Sequence, residues 1–344
     1  MYRIFRFFLF CFSAETVHHI IAFALKVARY VPFFGPIQRA LFTFRSPLLE
    51  REVMGLKFKN PIGLAAGLDK NGELVNEFSN FGFSFIEIGS VTPNPQPGNP
   101  KPRCFRLIPD QAIVNRFGIN NKGAKTVVQN LKQRRRRPIV GGNISKNTLT
   151  PNEKAADDYE KAFLRLYDYV DYFVINVSCP NVENLCQLHD VDLLSGIIDR
   201  LTEIRRCHDE YRPILLKVSP DLSYEQLNNL IELILISGLD GVVATNTTTS
   251  REGLRTSPER LQAIGKGGLS GAPLKQKSLD IIKYIHNKTE GNLPIIGVGG
   301  VMTPQDAIDM LNAGASLVQV YTGFIYKGPG FVRQILKKIV KEKV

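Results

Sequence analysis

The sequence predicts an α/β protein whose main part is a closed (β/α)8 TIM barrel, preceded by a short helical extension that associates with membranes. Eight apolar, β-branched runs recur after residue 60, and helical stretches alternate with them. Near-continuous apolar strands that alternate with helices are typical of a parallel sheet covered on both faces. Eight such units in about 280 residues match a barrel. We therefore expect a barrel over residues 46–344 and a helical segment over residues 1–45.

The eight expected strands share a core rich in Val, Ile and Leu and a polar or glycine-rich carboxyl end; they span residues 61–67, 83–90, 137–145, 172–178, 212–219, 239–246, 293–300 and 315–323. The first ends in "AAGLDKNG", which lacks the GxGxxG spacing of a doubly wound open sheet. Helices are expected between the strands, with Ser223 and Thr303 as N-caps, over residues 153–169, 190–208, 223–237, 304–313 and 329–341. The Pro-rich interruption at 91–119 lies where a barrel carries an active-site loop.

The first 45 residues are aromatic and basic, and they contain no acidic residue after Glu15. Apolar residues recur at helical spacing over 14–28, and a second short helix is expected over 35–44. Charged residues interrupt every apolar run before it reaches 18 residues, which argues against a spanning helix. Two short basic, aromatic helices predict an anchor that lies on an anionic lipid surface. A helical hairpin packed on its own domain remains the alternative.

Composition narrows the classes of partner. The five cysteines include no CxxC pair, and no cluster has metal-ligand spacing, so we expect reduced thiols, a cytosolic setting and no metal. The net charge of +12 favours nucleic acid, an anionic membrane or acidic small molecules, without choosing among them. The basic run from Arg134 to Arg137 is interpreted as the solvated end of a helix, with a contact to nucleic acid or lipid as the alternative.

Candidate functional residues follow the strands, because chemistry in such barrels gathers at the carboxyl ends. The ends carry amides, hydroxyls, lysines, glycines and one thiol: Ala66, Gly67, Lys70, Ser90, Asn143, Asn176, Cys179, Lys217, Thr245, Asn246, Thr247, Gly299, Gly300, Tyr321, Thr322 and Gly323. This is more hydrogen-bonding capacity than a packed core needs, and it predicts a planar, polar ligand. The glycines of "GVGG" and "YTG" after strands seven and eight predict a phosphate site.

Two lysines and a thiol suggest the chemistry. Lys70 and Lys217 could stabilise negative charge on a reduced flavin or form a Schiff base, and the residues alone leave both open. Two lysines beside a phosphate site suit flavin mononucleotide (FMN). Cys179 is interpreted as a base that takes a proton from an acidic carbon, with a buried structural cysteine as the alternative. We expect the thiols of Cys11, Cys104 and Cys207 to be structural, and nothing in the sequence assigns a role to Cys186.

Long motifs then match a known family. The segments "NPIGLAAGLDKNGE", "FIEIGSVTPNPQPGNPKPRCFRL", "AIVNRFGINNKG", "NVSCPN", "LKVSPDLS", "GVVATNTT", "GGLSGAPLK", "LPIIGVGGV" and "GASLVQVYTGFIYKGP" resemble dihydroorotate dehydrogenase of class 2, the membrane-associated, quinone-dependent type. The resemblance implies oxidation of (S)-dihydroorotate to orotate in pyrimidine synthesis, one FMN per subunit and a membrane quinone as acceptor. It also implies peripheral attachment to a membrane and no nucleic-acid partner. The lack of an Arg/Ser-rich transit segment favours the cytoplasmic side of a bacterial inner membrane as that membrane.

The resemblance also assigns roles to residues. It implies contacts to FMN from Ala66, Gly67, Lys70, Ser90, Asn143, Asn176, Lys217, Thr245, Gly271, Gly300, Tyr321 and Thr322. It implies contacts to dihydroorotate from Lys70, Asn115, Arg116, Phe117, Gly118, Ile119, Asn176, Asn181, Asn246 and Thr247. His18 and Arg103 match positions near the quinone tunnel, and Cys179 matches the catalytic base.

The base is also where this chain departs from the class 2 pattern. Class 2 enzymes most often carry serine there, and Cys179 is typical of the soluble class 1 enzymes, which use fumarate or NAD. The following "VENLCQ" also differs from the usual "TPGLR". The N-terminal helices favour class 2. A class 1-like dehydrogenase, an RNA flavoprotein resembling dihydrouridine synthase and a non-catalytic membrane scaffold remain the alternatives.

Overall fold

The structure is a computed structural model that describes residues 2–134, 138–177 and 191–343. Eight parallel strands form its closed barrel: β3 (Ile62–Leu64), β4 (Phe85–Val91), β7 (Ile139–Ile144), β8 (Tyr172–Asn176), β9 (Ile214–Val218), β10 (Gly241–Ala244), β12 (Ile295–Val298) and β13 (Leu317–Val320). Neighbours in the chain are neighbours in the barrel, and β13 closes the ring by pairing with β3. The predicted (β/α)8 fold is confirmed, with each barrel strand overlapping its expected range.

The helices of the described part surround the barrel or precede it: α1 (Tyr2–Phe10), α2 (Ala14–Ala28), α3 (Phe34–Phe42), α4 (Val75–Ser79), α5 (Gly123–Lys132), α6 (Ala155–Leu166), α7 (Val191–Arg206), α8 (Tyr224–Ser237), α9 (Pro258–Ile264), α10 (Lys275–Lys288), α11 (Pro304–Asn312), α12 (Thr322–Lys327) and α13 (Phe331–Glu342). Capping boxes at Ser223 and Thr303 begin α8 and α11, as the sequence predicts. Helix α5 ends at Lys132. Of the basic run from Arg134 to Arg137 that was expected to end a helix, only Arg134 lies within the described residues.

An antiparallel hairpin of β1 (Arg51–Val53) and β2 (Leu56–Phe58) lies at the amino-terminal end of the barrel. Phe58 is buried against Phe85, with ring centroids 5.2 Å apart and the planes nearly perpendicular. Phe85 in turn packs edge-on against Tyr172 inside the barrel. Aromatic side chains therefore fill this end of the barrel interior, which leaves the carboxyl ends of the strands as its open side.

A second small sheet lies on the carboxyl-terminal side. It consists of β5 (Cys104–Leu107), β6 (Ala112–Asn115) and β11 (Gly268–Gly271), all antiparallel. The first two strands belong to the segment 91–119 that the sequence suggested as a loop. They form strands there because β6 pairs with β11, which is more than 150 residues away in the chain and cannot be anticipated from local pattern.

Three helices form the N-terminal segment, one more than the sequence analysis expected. The helices expected over 14–28 and 35–44 correspond to α2 and α3, and α1 is additional. Helix α1 docks on α12, where the Tyr2 hydroxyl donates to the Ile325 carbonyl (2.5 Å) and Arg6 donates to the Tyr326 carbonyl (2.7 Å). No helix among the described residues is both long and apolar enough to cross a membrane.

Candidate active site

The carboxyl ends of the barrel strands surround a cavity whose empty space, counted out to the open solvent, is about 1060 Å³. All twelve positions assigned to FMN line it: Ala66, Gly67, Lys70, Ser90, Asn143, Asn176, Lys217, Thr245, Gly271, Gly300, Tyr321 and Thr322. Of the positions assigned to dihydroorotate, Lys70 and Asn176 are already among these twelve, and six more line the cavity: Asn115, Phe117, Gly118, Ile119, Asn246 and Thr247. The polar strand ends that the sequence singled out therefore share one concave site, which we call the barrel cavity.

A row of hydrogen bonds crosses the mouth of the barrel. The amide nitrogen of Asn246 donates to the amide oxygen of Asn176 (3.4 Å), and Asn176 donates to the Ser90 hydroxyl (2.7 Å). Ser90 donates to the amide oxygen of Asn143, and the Asn143 nitrogen donates to Oε1 of Glu87 (2.8 Å). We call these five residues the amide row. It links candidate substrate contacts at one end to candidate cofactor contacts at the other.

Beneath the cavity lies a buried ion pair. The Lys217 Nζ is 3.6 Å from Oε1 of Glu87, and the Glu87 side chain is 0% exposed. Gln319 donates to the other carboxylate oxygen of Glu87 at 2.6 Å. Lys217 lines the cavity, so a cation faces whatever ligand the cavity holds.

Glycines after strands β12 and β13 shape the other side of the cavity. Gly300 has φ +83°, and a Cβ built on it would lie 2.3 Å from Cα of Lys275. Only glycine combines this backbone conformation with such close packing. Ser270 and Thr322 place hydroxyls 2.8 Å apart on the same side. Backbone N–H groups and hydroxyls are donors that a phosphate group accepts hydrogen bonds from.

A second cavity, with about 1300 Å³ of empty space, lies between α2 and the barrel. We call it the tunnel cavity. Gly67, Lys70, Phe117 and Tyr321 line both cavities and so form a shared wall. Lys70 Nζ lies 3.7 Å from the centroid of the Phe117 ring and also donates to Asn120. A ligand in the barrel cavity is thus separated from the tunnel cavity by one layer of side chains.

His18, which the resemblance places near the quinone tunnel, lines this cavity. Burial lowers the pKa of His18 to about 4, with further lowering from His19 and Lys70. The imidazole is therefore neutral near pH 7, with one nitrogen able to donate and the other able to accept a hydrogen bond. Cys104, which we expected to be structural, lines the same cavity, and burial raises the pKa of its thiol to about 11.

Ion pairs at both of its ends hold α2 against the barrel, and Glu15 meets Lys101 (3.5 Å) as well as Arg103. At its amino end, Nη2 of Arg103 lies 2.8 Å from Oε1 of Glu15, and Arg103 Nε approaches both Glu15 oxygens at 3.2 and 3.3 Å. At its carboxyl end, Lys26 pairs with Glu73, which also meets Lys122. Since α2 forms one wall of the tunnel cavity, these pairs fix the width of that cavity.

Some predicted site residues lie elsewhere. The Arg116 guanidinium donates to the carbonyls of Ile264, Lys266 and Pro102 and does not line the barrel cavity, because carbonyls outside that cavity bind it. Arg103 does not line the tunnel cavity and acts on it through Glu15. Cys179 and Asn181 lie outside the described residues. No group of three or more potential metal ligands occurs in the part of the chain that the structure describes.

Sequence reasoning missed Glu87 and Gln319 beneath the barrel cavity, and Lys26 and Arg106 in the tunnel cavity. A signal for the first two was present, since "FIEIG" and "LVQV" each carry one polar residue inside an otherwise apolar buried strand. Such a residue needs a buried partner. Lys26 and Arg106 gave no signal, because their location depends on how α2 packs.

Comparisons with known proteins agree with this geometry. The family model for dihydroorotate dehydrogenase matches residues 48–342. A dihydroorotate dehydrogenase (quinone) from Christiangramia forsetii is 48% identical over 97% of both chains. The enzyme of the same name from Coxiella burnetii (strain Dugway 5J108-111) is 45% identical over 98% of this chain and 96% of its own.

Solved structures agree as well. The dihydroorotate dehydrogenase of Eimeria tenella in complex with ferulenol superposes with a TM-score of 0.86 at 35% identity, covering 96% of this chain and 91% of that one. The family model and the identities extend over most of the chain and over most of each relative. The chain belongs to the dihydroorotate dehydrogenase family.

Proposed function

We propose that this chain is a class 2 dihydroorotate dehydrogenase that oxidises (S)-dihydroorotate to orotate for pyrimidine synthesis and passes the electrons to a membrane quinone. One observation carries the proposal: the barrel cavity and the tunnel cavity share a wall of Gly67, Lys70, Phe117 and Tyr321. A cofactor in the first cavity is then next to an electron acceptor in the second. The relatives named as quinone enzymes support this choice of acceptor.

The family is flavin-dependent, and we propose FMN as the flavin of this chain. The chemistry that the flavin supplies when bound is acceptance of a hydride equivalent from the substrate and its release as electrons. The residues present fit such a group. Peptide groups and hydroxyls around Gly300 and Thr322 suit its phosphate, and Lys217, Asn143 and Ser90 offer polar contacts to its ring.

The chain's own residues then bind and orient the substrate. Asn176 and Asn246, joined in the amide row, offer amide groups to a planar ring, and Lys70 offers a cation to its carboxylate. Cys179 is the proposed base that removes the proton from C5 of dihydroorotate while hydride leaves C6. This role rests on the sequence, where Cys179 comes three residues after Asn176, the last residue of β8, which lines the cavity.

The tunnel cavity is the proposed quinone site. Neutral His18 can hydrogen-bond a quinone carbonyl, and Arg103 keeps α2 in place through Glu15. Many apolar side chains of the N-terminal segment are exposed: Ile4, Phe5, Phe7, Phe8, Phe12, Ile20, Phe23, Val27, Tyr30, Val31, Phe33, Ile37 and Leu41. An exposed apolar surface of this extent, with basic residues and little acidic charge, supports attachment to an anionic lipid surface. We propose the cytoplasmic side of the inner membrane as that surface.

Vesicle binding tests the attachment. The wild type is expected to sediment with vesicles that contain anionic lipid, and Phe7→Ser with Phe8→Ser is expected to weaken this binding, because both rings are exposed on α1. The matched control is Leu235→Ser with Ile236→Ser, on the exposed side of α8. Equal vesicle binding by all three proteins would contradict a docking role for the N-terminal segment.

Cofactor identity and the first half-reaction test the proposed activity. The purified full chain is expected to carry FMN, identified by chromatography after the protein is denatured. Anaerobic addition of dihydroorotate is expected to bleach the flavin absorbance near about 450 nm. A protein without flavin, or a bound flavin that dihydroorotate leaves oxidised, would contradict the proposal.

A class 1-like enzyme that uses fumarate or NAD is the second candidate. One observation favours it, namely the cysteine at position 179, which resembles the base of class 1 enzymes. The tunnel cavity favours a quinone. Parallel assays with the three acceptors separate the two candidates.

A further inference from the structure

Glu87 is a charged residue in the middle of barrel strand β4, and its side chain points into the barrel. It is 0% exposed and does not line the barrel cavity. Its carboxylate nevertheless contacts three residues that do line it, namely Asn143 (2.8 Å), Gln319 (2.6 Å) and Lys217 (3.6 Å). One anion therefore supports the floor of the cavity from below.

Burial of a carboxylate is unfavourable unless charge and hydrogen bonds compensate for it. Glu87 has both, since a lysine provides the charge and two side-chain amides provide N–H donors. An apolar residue would fill this position without that desolvation cost. The arrangement thus retains an anion at a place where stability alone gives no reason for one.

The amide row points in one direction. From Asn246 through Asn176, Ser90 and Asn143, every donor is directed towards Glu87. A carboxylate can only accept hydrogen bonds, so it sets the orientation of the Asn143 amide, and each following group is oriented by the one before it. The charge state at Glu87 is therefore linked to both ends of the candidate site.

We propose that Glu87 is a positioning residue that neutralises Lys217 and anchors the amide row, and that it thereby sets the equilibrium between oxidised and reduced flavin. This inference rests on the proposed flavin site. Reduction adds negative charge to the flavin ring, and a cation below the ring favours it. Glu87 opposes that effect by compensating the Lys217 charge.

The test replaces Glu87 by glutamine, which keeps the shape and one acceptor oxygen but removes the charge. The holoenzyme is reduced anaerobically in the presence of a redox dye, and the ratio of reduced to oxidised flavin is read from the absorbance at neutral pH. We expect Glu87→Gln to shift the equilibrium constant towards reduced flavin by about tenfold, which for a two-electron couple is about 30 mV. A purely structural role would lower the thermal stability without this shift.

Two further variants make the result specific. Asp240→Asn removes a mostly buried carboxylate that pairs with Arg205 at 2.5 Å, at the amino end of β10 and away from the cavity. We expect its equilibrium to stay within threefold of the wild type. Glu87→Gln is also made on a Lys217→Met background, where no lysine charge remains for Glu87 to compensate, and there we expect the shift to fall below threefold.

A shift below threefold in Glu87→Gln with Lys217 present, loss of flavin from that variant, an equal shift in Asp240→Asn, or the same tenfold shift on the Lys217→Met background would overturn the inference. A wild-type protein that binds no flavin would instead contradict the proposed function. The two failures are therefore distinguishable.

Discussion

The ion pair between Glu15 and Arg103 makes a specific prediction about the two half-reactions. Glu15 begins α2, which walls the tunnel cavity, and neither residue contributes to the barrel cavity. Replacing Glu15 by Gln removes the charge from a pair whose side chains are only 11% and 8% exposed. We expect this change to impair the reaction with quinone and to leave flavin reduction by dihydroorotate unchanged.

The size of the effect follows from the contacts. Burial raises the pKa of Glu15, but hydrogen bonding and the charge of Arg103 outweigh it, so the pKa lies below its ordinary value and Glu15 is ionised at neutral pH. Hydrogen bonds to charged groups contribute about 1.5–3 kcal/mol. A loss of about 2 kcal/mol weakens the docking of the amino end of α2 roughly 30-fold. The contact of Lys26 with Glu73 still holds the carboxyl end.

Two measurements check this prediction. Steady-state assays with a soluble quinone analogue are expected to give a KM raised several-fold, and stopped-flow flavin reduction by dihydroorotate is expected to match the wild type. Glu52→Gln, on the exposed side of β1 at the other end of the barrel, is the matched control. An unchanged quinone KM, or an equal loss in both half-reactions, would refute the reasoning.

Three more predictions concern the sites themselves. Gly300→Ala is expected to abolish flavin binding, because the added Cβ would lie 2.3 Å from Cα of Lys275 and the residue has a φ of +83°. The control Gly330→Ala should retain flavin, because no atom lies within 4 Å of its added Cβ. Equal flavin content in the two variants would contradict this prediction. A plot of the quinone KM against pH should show no inflection at about pH 6.5, because His18, with a pKa of about 4, is neutral on both sides of that pH. An inflection at that pH in the wild type that disappears in His18→Asn would contradict this prediction. As the pH is lowered, the rate of flavin reduction should fall at a higher pH in Cys179→Ser than in the wild type, because a thiol has a lower solution pKa than a serine hydroxyl. Identical pH–rate profiles for the two proteins would disprove this prediction.

The barrel was predictable because its strands are buried on both faces and are therefore almost wholly apolar, as in "RPILLKVS" at β9. The barrel cavity was predictable for a related reason. Polar residues such as Asn143 and Lys217 stand out against those strands, and the carboxyl ends of parallel strands meet on one side.

The remaining features depend on contacts between distant parts of the chain. The pairing of β6 with β11 turns an expected loop into a sheet, and carbonyls at residues 264 and 266 draw Arg116 away from the cavity. Helix α1, "YRIFRFFLF", is rich in aromatic residues that favour strands, and its docking on α12 through Tyr2 and Arg6 supports the helix. Local sequence carries no record of such contacts.

The electron acceptor tests the central claim most directly. Dihydroorotate oxidation by the full chain is measured with a quinone analogue, fumarate and NAD in parallel, under one set of conditions. The two cavities that share Lys70 and Phe117 predict turnover with the quinone and none above background with the other two. Turnover with fumarate or NAD alone would contradict the account.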